Sequence, residues 1–333
     1  MRQATVLIPT HNHGPTLRYA IESVRQQTVK DIEIFVIGDG VPEITREIIA
    51  ELSQKEPRLR FFDHPKGPRN GEAYRHAALA SARGKIVCYL SDDDLWLPAH
   101  IETMQSALTH ADFAHALPVR IMPGGALHSP IGNLALPHYR HFILSGINFI
   151  PLSCAAHTLD MYPRLPHGWR TTPQGIWTDM YMWQQFLELP QCRALSSAHP
   201  TVLHFPSSER RAWTLDERLA ELAQWSQKYT DRDWQHAFLQ QVVELTVRER
   251  AEFYAHLDNL NHQVQINHQL QQDIERLTSE RDSFEQQKNL TQEEMTRMRE
   301  TASWRLRQRF LQLPFGRSVL QKIVRLLAGE RSQ

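Results

Sequence analysis

Apolar residues in the first ninety positions come in two alternating patterns: short unbroken runs, and stretches where they recur every three or four residues. The runs Thr5 to Pro9 (TVLIP), Ile32 to Ile37 (IEIFVI), Leu59 to Phe62 and Ile86 to Leu90 predict buried strands. Between them, Leu17, Ala20, Ile21 and Val24 repeat at helical spacing up to Gln27, and further helices are predicted near Pro42 to Gln54 and Glu72 to Ala82. Polar and chain-breaking residues punctuate the pattern, as in Thr10-His11-Asn12-His13-Gly14-Pro15. The order β-α-β-α-β-α-β implies a mostly parallel sheet with right-handed crossovers.

Downstream the pattern loosens. A helix is predicted from Pro98 to Leu108 and a strand from Phe113 to Met122. Gly124-Gly125 then turns the chain into a second segment at Ala126 to Ile131, which reads as a hairpin. Pro151 to His157 reads as a short strand, and Asp160 to Gly175 is a long loop rich in Pro, Arg and Gly. Phe186 and Leu187 continue an apolar face that puts Asp179 in the first turn of a helix. A strand near Thr201 to His204 leads into the polar segment Pro206 to Arg211, where Arg210 or Arg211 is a candidate anion contact and a plain surface loop is the alternative.

After about Ala212 the composition changes: no proline occurs between Pro206 and Pro314, and Gln, Glu, Leu and Arg dominate. Phe253, Leu257, Leu260 and Val264 are spaced four, three, four. After a one-residue slip, Leu270, Ile274, Leu277, Arg281, Phe284, Lys288, Thr291, Met295 and Met298 follow the same alternation. This is an imperfect coiled-coil pattern, because Arg281, Lys288 and Thr291 occupy core positions, and it predicts a parallel homodimer, with a solvated single helix as the alternative. From 301 to 333 seven Lys or Arg face one Glu, among Trp304, Phe310, Phe315 and many aliphatic residues. Such a helix either lies in a membrane interface or packs on the protein itself.

Composition narrows the classes. The 37 basic and 37 acidic residues leave no global field to attract nucleic acid. Three scattered cysteines with no Cys-x-x-Cys spacing fit a reducing compartment and suggest no zinc site. The start of the chain runs straight into a strand, and no apolar stretch is long enough to span a bilayer. The expectation is a cytoplasmic protein, with the tail bringing it to the inner face of the membrane.

The chemistry concentrates at Ser91-Asp92-Asp93-Asp94, where the central apolar run ends in three carboxylates. Side chains at the carboxyl end of a central strand face the ligand crevice of an α/β sheet. Adjacent carboxylates there suit a hard divalent cation shared with a phosphate. The structural alternative is an acidic turn whose last Asp caps the helix opening near Pro98. Thr10, Asn12, Asp39 and Arg75 have similar alternatives as turn, capping or surface residues, and Thr178 or Asp179 could cap its helix.

Taken together, the strand end Ile8 to Asn12 (IPTHN), Asp39-Gly40, the helix start Gly71 to Arg75 (GEAYR), Arg83-Gly84-Lys85 and Leu90 to Pro98 (LSDDDLWLP) resemble a family 2 glycosyltransferase of the GT-A fold. The resemblance is strong over the first hundred residues and looser to about 210. It implies a GT-A domain, which the compositional change bounds at 1–212, ahead of a helical region with the imperfect coiled coil over 213–300 and the basic tail over 301–333. It implies an inverting enzyme that takes sugar from a UDP, GDP or dTDP type donor to a hydroxyl of a glycan or lipid-linked acceptor in surface polysaccharide or glycolipid synthesis. Pro9, Thr10 and Asn12 would line the base and ribose, Asp39 would bond the base, and Arg75 would approach the donor. Ser91 stands where the family's metal motif has its first carboxylate, so Mg²⁺ or Mn²⁺ would fall to Asp93 with help from Asp92. Asp179 would be the general base. A sugar-phosphate nucleotidyltransferase and a non-catalytic scaffold on a coiled-coil stalk are the alternatives; the first lacks its Gly-rich basic signature in THNHGP.

Overall fold

A computed structural model describes residues 2–327, and positions 328–333 of the basic tail lie outside the described residues. Two compact units divide the chain, one up to Ala251 and one from Glu252 onward. The compositional change near Ala212 and the edge of the first unit do not coincide.

The first unit opens as the hydrophobic pattern predicts. β1 (Arg2–Thr10), α1 (Gly14–Arg25), β2 (Ile32–Asp39), α2 (Glu43–Lys55), β3 (Leu59–His64), α3 (Glu72–Leu79) and β4 (Gly84–Tyr89) follow in turn. β1 lies between β2 and β4, parallel to both, and β3 extends the sheet beside β2. Because side chains alternate across a strand, Val6, Ile8, Ile34 and Val36 join one core layer, with Leu17, Ile21 and Ile48 of the helices above them. Leu7, Phe35, Ile37, Val87 and Tyr89 join the opposite layer. Burial on both faces is why these runs carry no polar alternation.

The next elements are β5 (Leu95–Trp96), α4 (His100–Leu108), β6 (Phe113–His115), β7 (Pro118–Ile121) and β8 (Leu127–His128). The single strand expected over Phe113 to Met122 is therefore two. β6 stays in the main sheet and β7 enters a second one, with Pro118, which has no N–H to donate, at the switch. The hairpin turn at Gly124-Gly125 is present, with φ of 84° and 85°, but β8 is only two residues long. α5 (Pro137–Leu144), which the pattern did not predict, precedes β9 (Ala155–Thr158), α6 (Thr178–Glu188), β10 (Ala194–Ser196), β11 (Val202–His204) and α7 (Leu215–Ser226).

The main sheet runs β10-β6-β9-β4-β1-β2-β3, with β9 antiparallel to both neighbours. The second sheet runs β5-β11-β7-β8. Leu222 and Tyr229, together with Phe238 and Val242 from the start of α8 (Arg232–Glu300), pack with Leu95, Val119, Leu203 and Phe205. Thus α7 belongs to the core of the first unit.

In the second unit α8 continues to Glu300 and is followed by α9 (Ala302–Gln312) and α10 (Gly316–Leu327), which pack on each other. Phe253, Leu257, Leu260, Val264, Leu270, Ile274, Leu277, Phe284, Met295 and Met298 are all exposed. Among the described residues no helix is long and apolar enough to cross a membrane.

Candidate active site

The carboxyl ends of β1, β2 and β4 deliver Thr10, Asp39 and the Ser91-Asp92-Asp93-Asp94 turn to one edge of the sheet. A cleft of about 320 Å³ there is lined by Pro9, Thr10, Asn12, Asp39, Arg75 and Asp92. A second cleft of about 630 Å³ is lined by Asp93, Asp94 and Asp179. Asn70, Arg75, Ser91 and Leu152 line both, so the two are contiguous. The fold brings all eight sequence-selected residues to this one edge.

Two polar atoms in the first cleft lack partners. Thr10 Oγ1 and Arg75 Nε are buried without a hydrogen bond. Leaving such groups unpaired costs roughly 1–3 kcal/mol each, so a ligand that bonds them recovers that cost. Arg75 donates from Nη2 to the Asn70 carbonyl at 3.0 Å, and its guanidinium carbon lies 4.8 Å from the centre of the Trp169 ring. Burial pulls the Arg75 pKa down, against the carboxylates of Glu72, Asp179 and Asp39. A cation held in so dry a place is ready for an anionic ligand.

Asp39 is occupied on both oxygens. Gly67 N–H donates to Oδ1 at 2.6 Å and Lys66 Nζ to Oδ2 at 2.7 Å, so the carboxylate fastens the 66–71 loop over the cleft. His11 Nδ1 lies 2.6 Å from the Asp39 carbonyl oxygen. Gly71 adopts a φ of 62°, and a Cβ there would sit 2.6 Å from Asp39 Cγ, which accounts for glycine at this helix start.

The three consecutive aspartates take different roles. Asp94 is fully buried and accepts from Ser153 Oγ, from Phe205 N–H at 2.7 Å, and pairs with His204 Nδ1 at 2.9 Å. It therefore ties β11 and residue 153 to the turn and caps no helix; α4 begins at His100 after Ala99, without a side-chain cap. Burial opposes charge on His204, but the field and hydrogen bond of Asp94, with Asp93 behind it, raise its pKa on balance. Asp93 accepts from Ser91 Oγ at 2.7 Å and Ser207 Oγ at 2.8 Å, and Arg218 Nη1 of α7 lies 3.7 Å from its Oδ2. Asp92 Oδ1 lies 3.3 Å from His13 Nδ1, an interaction that holds the His13 pKa above its usual value.

One atom each from His13, Asp92 and Asp93 lie within 4.8 Å of one another. Burial, with Asp94 and Asp92 alongside, pushes the Asp93 carboxyl up to about 6. A carboxylate so desolvated among like charges is stabilised by a cation, and two oxygens with one imidazole suit a divalent ion, Mn²⁺ tolerating the nitrogen better than Mg²⁺. The residues fit a divalent ion, and His13, which the sequence reading did not select, stands with them.

Asp179 is half-buried in the first turn of α6, and neither it nor Thr178 caps that helix. Its Oδ1 accepts from Met180 N–H at 2.8 Å and from Asn148 Nδ2 at 3.1 Å. Burial raises its pKa against these two donors, in the direction that makes a carboxylate a better base. Buried Glu72 of α3 accepts from Thr178 Oγ1 at 3.2 Å and from Thr172 N–H, which fixes the start of α6 beside the 70-loop.

Sequence reasoning missed His13, Asn148 and Arg218. His13 stood beside the selected Asn12 in the breaker-rich turn; Asn148 had no signal, and Arg218 lay beyond the compositional break. Arg210, considered as an anion contact, is instead buried against Glu221 at 2.6 Å and the Ile121 and Pro206 carbonyls. Its Nε and Nη2 are spent on Glu221 and the Ile121 carbonyl.

A mostly parallel sheet with an acidic turn at its carboxyl edge, a cleft beside it and a carboxylate in the adjoining cleft are the layout expected of a GT-A domain. Residues 5–165 match the model of Glycosyl transferase family 2, so this segment carries a domain of that type. It is 30% identical over 138 residues to the GalNAc(5)-diNAcBac-PP-undecaprenol beta-1,3-glucosyltransferase of Campylobacter jejuni, covering 40% of this chain and 41% of that protein. It is 32% identical over 114 residues to the succinoglycan biosynthesis protein ExoW of Rhizobium meliloti, covering 34% and 36%. The chain thus spans about two fifths of the length of these relatives. The crystal structure of S. aureus TarS 1–349 is similar with a TM-score of 0.49 and 13% identity, over 66% of this chain and 65% of that one.

Proposed function

We propose that this chain is an inverting glycosyltransferase acting on a nucleotide-sugar donor of the UDP, GDP or dTDP type. The observation that carries the reading is the pair of contiguous clefts meeting at Arg75, one with unpartnered Thr10 and Arg75 groups, the other with Asp179. Pro9, Thr10, Asn12 and Asp39 would hold the nucleoside. Arg75 would reach the donor between the clefts. His13, Asp92 and Asp93 would hold Mn²⁺ or Mg²⁺, which when bound neutralises charge on the leaving diphosphate.

Asp179 would accept the proton of the acceptor hydroxyl as its oxygen bonds to the anomeric carbon, while the bond from that carbon to the diphosphate oxygen breaks with its electron pair. One displacement inverts the centre. Asn148 positions the carboxylate and leaves one oxygen free for the proton.

A lipid-linked or glycan acceptor agrees with the undecaprenol-linked substrate in the name of the Campylobacter jejuni relative and the succinoglycan biosynthesis in that of the Rhizobium meliloti one. The exposed apolar faces of Val319, Ile323, Val324 and Leu327 on α10, with Arg317, Lys322 and Arg325, support docking on the inner face of a membrane. The exposed heptad-like face of α8 supports a parallel homodimer.

The test is a thermal-shift panel of UDP, GDP and dTDP sugars with and without Mn²⁺, followed by product stereochemistry. Metal-dependent stabilisation by one nucleotide class and an inverted product are expected. No stabilisation by any member, or a retained anomeric configuration, refutes the reading.

A further inference from the structure

A third concavity, of about 700 Å³, lies in the first unit between α7, the start of α8 and the Gly124-Gly125 turn. Nothing in the proposed chemistry uses it. Its walls include Trp213, Trp225 and Trp234. Trp225 and Trp234 meet edge to face at 5.9 Å, and Trp234 stacks on Phe238 at 4.9 Å. All three indoles are half-buried, so each keeps part of its surface exposed after packing.

Lys228, the cation among the lining groups, holds its Nζ 5.7 Å from the centre of the Trp225 ring, and the other polar groups divide in two. Glu217 is engaged in the capping box with Thr214, and Glu221 is paired with Arg210. The amides of Gln224 and Gln241 are exposed, and neither has a protein partner among the described residues. Flat aromatic faces beside free neutral amides complement a pyranose, whose C–H face is apolar and whose rim carries hydroxyls. The volume falls in the range of clefts that bind small ligands.

The groove and the catalytic cleft share one wall element, the β7–β8 hairpin. The β7–β8 hairpin lines that cleft with Met122 and His128 and lines the groove with its Gly124-Gly125 turn. Phe205, in the wall of the cleft, packs on Trp225 at 6.1 Å. An acceptor chain with its reacting hydroxyl at Asp179 would pass the hairpin and reach the indoles.

We infer that this groove is a subsite for neutral sugar units of the acceptor glycan, remote from the hydroxyl that reacts. The inference rests on the glycosyltransferase reading for the direction of the chain, and on the groove itself for the chemistry. Such a subsite selects acceptors by length, since a second contact on one chain acts at high effective concentration.

The test uses the full chain and saturation-transfer NMR with gluco-, galacto- and N-acetylglucosamine oligosaccharides of one and four units. Wild type, Trp234→Ala and the double variant Gln224→Ala/Gln241→Ala are compared, each also titrated with UDP and GDP in Mn²⁺. At least one tetrasaccharide should bind, tenfold or more weaker in Trp234→Ala and several-fold weaker in the double variant. Its monosaccharide should bind far less, and nucleotide affinity should be unchanged throughout. The exposed amide pair guards against a folding artefact at Trp234. Absence of any tetrasaccharide signal that depends on these residues overturns the subsite, as does a change of oligomeric state as their sole effect. Absence of nucleotide binding in wild type strikes instead at the transferase reading, leaving the saccharide result to stand or fall separately.

Discussion

Arg218 reaches from α7 to within 3.7 Å of Asp93, joining a helix past the compositional break to the acidic turn at the end of β4. Its Nη2 also donates to the Arg210 carbonyl at 3.1 Å, while Nη1 is buried and makes no hydrogen bond. The guanidinium thus serves as a partial counter-charge for a carboxylate that has no full partner.

Replacing Arg218 by Met should therefore tighten Mn²⁺ binding several-fold, because a fixed positive charge beside the ion is removed. Isothermal titration of both proteins at low and high salt measures this. Weaker metal binding in the variant would show that Arg218 helps to organise the site.

Asp93→Asn should abolish metal-dependent nucleotide binding while the protein stays folded. The metal-free variant should also be more stable than wild type near pH 7.5. Burial among neighbouring carboxylates raises the folded-state pKa of Asp93 to about 6 from the ordinary 3.8. Its favourable contribution is then complete below about pH 4 and is lost as pH rises through 6. The gain in the variant should fade between pH 6 and pH 4, as read from denaturation midpoints. A gain that is constant with pH would contradict the assignment.

Asp179→Asn keeps the shape of the side chain and removes its basicity. Donor and metal binding should be nearly normal, and turnover should drop by about 10² to 10⁴. In wild type the acid limb of the turnover profile should lie above the ordinary carboxylate range, since burial raises this pKa. Near-normal turnover in the variant would place the base elsewhere.

Asp94→Ala should act on stability ahead of catalysis. It strands His204, Ser153 Oγ and the Phe205 N–H in a buried setting. Removing one member of a buried charged network typically costs about 3–5 kcal/mol. At roughly 2–4 °C per kcal/mol for a domain of this size, the melting point should fall by about 10 °C. Calorimetry checks this, and a shift of a degree or two would mean that the network is not holding β11.

Deleting 301–333 should abolish sedimentation with anionic liposomes and leave transfer to a soluble acceptor analogue intact. Basic side chains near such a surface contribute about 1 kcal/mol each, and salt screens them. Raising the salt should release the full-length chain only in part, because the apolar face of α10 stays inserted. A lower melting point with no liposome effect would indicate a tail that packs on protein.

The parallel sheet was legible because burial on both faces leaves unbroken apolar runs at Thr5, Ile32 and Ile86, and the intervening helices keep a clean period. The strand ends were legible with it, since any residue that closes such a run falls at the ligand edge; the acidic turn of Asp93 was selected on that ground, and Thr10 and Asp39 through the family resemblance. Less of the second half could be read, because β7, β8, β10 and β11 have four residues or fewer and too few side chains to establish a period. Pro118 broke what looked like one strand, and α5 went unpredicted. Only tertiary structure decided how the acidic run divides its labour. Three neighbouring aspartates look alike in sequence, yet Asp94 is consumed by His204, Ser153 and Phe205, Asp93 meets Ser207 and Arg218, and Asp92 meets His13. These partners lie from 59 to more than a hundred residues away along the chain, and no local pattern encodes a distance closed by folding.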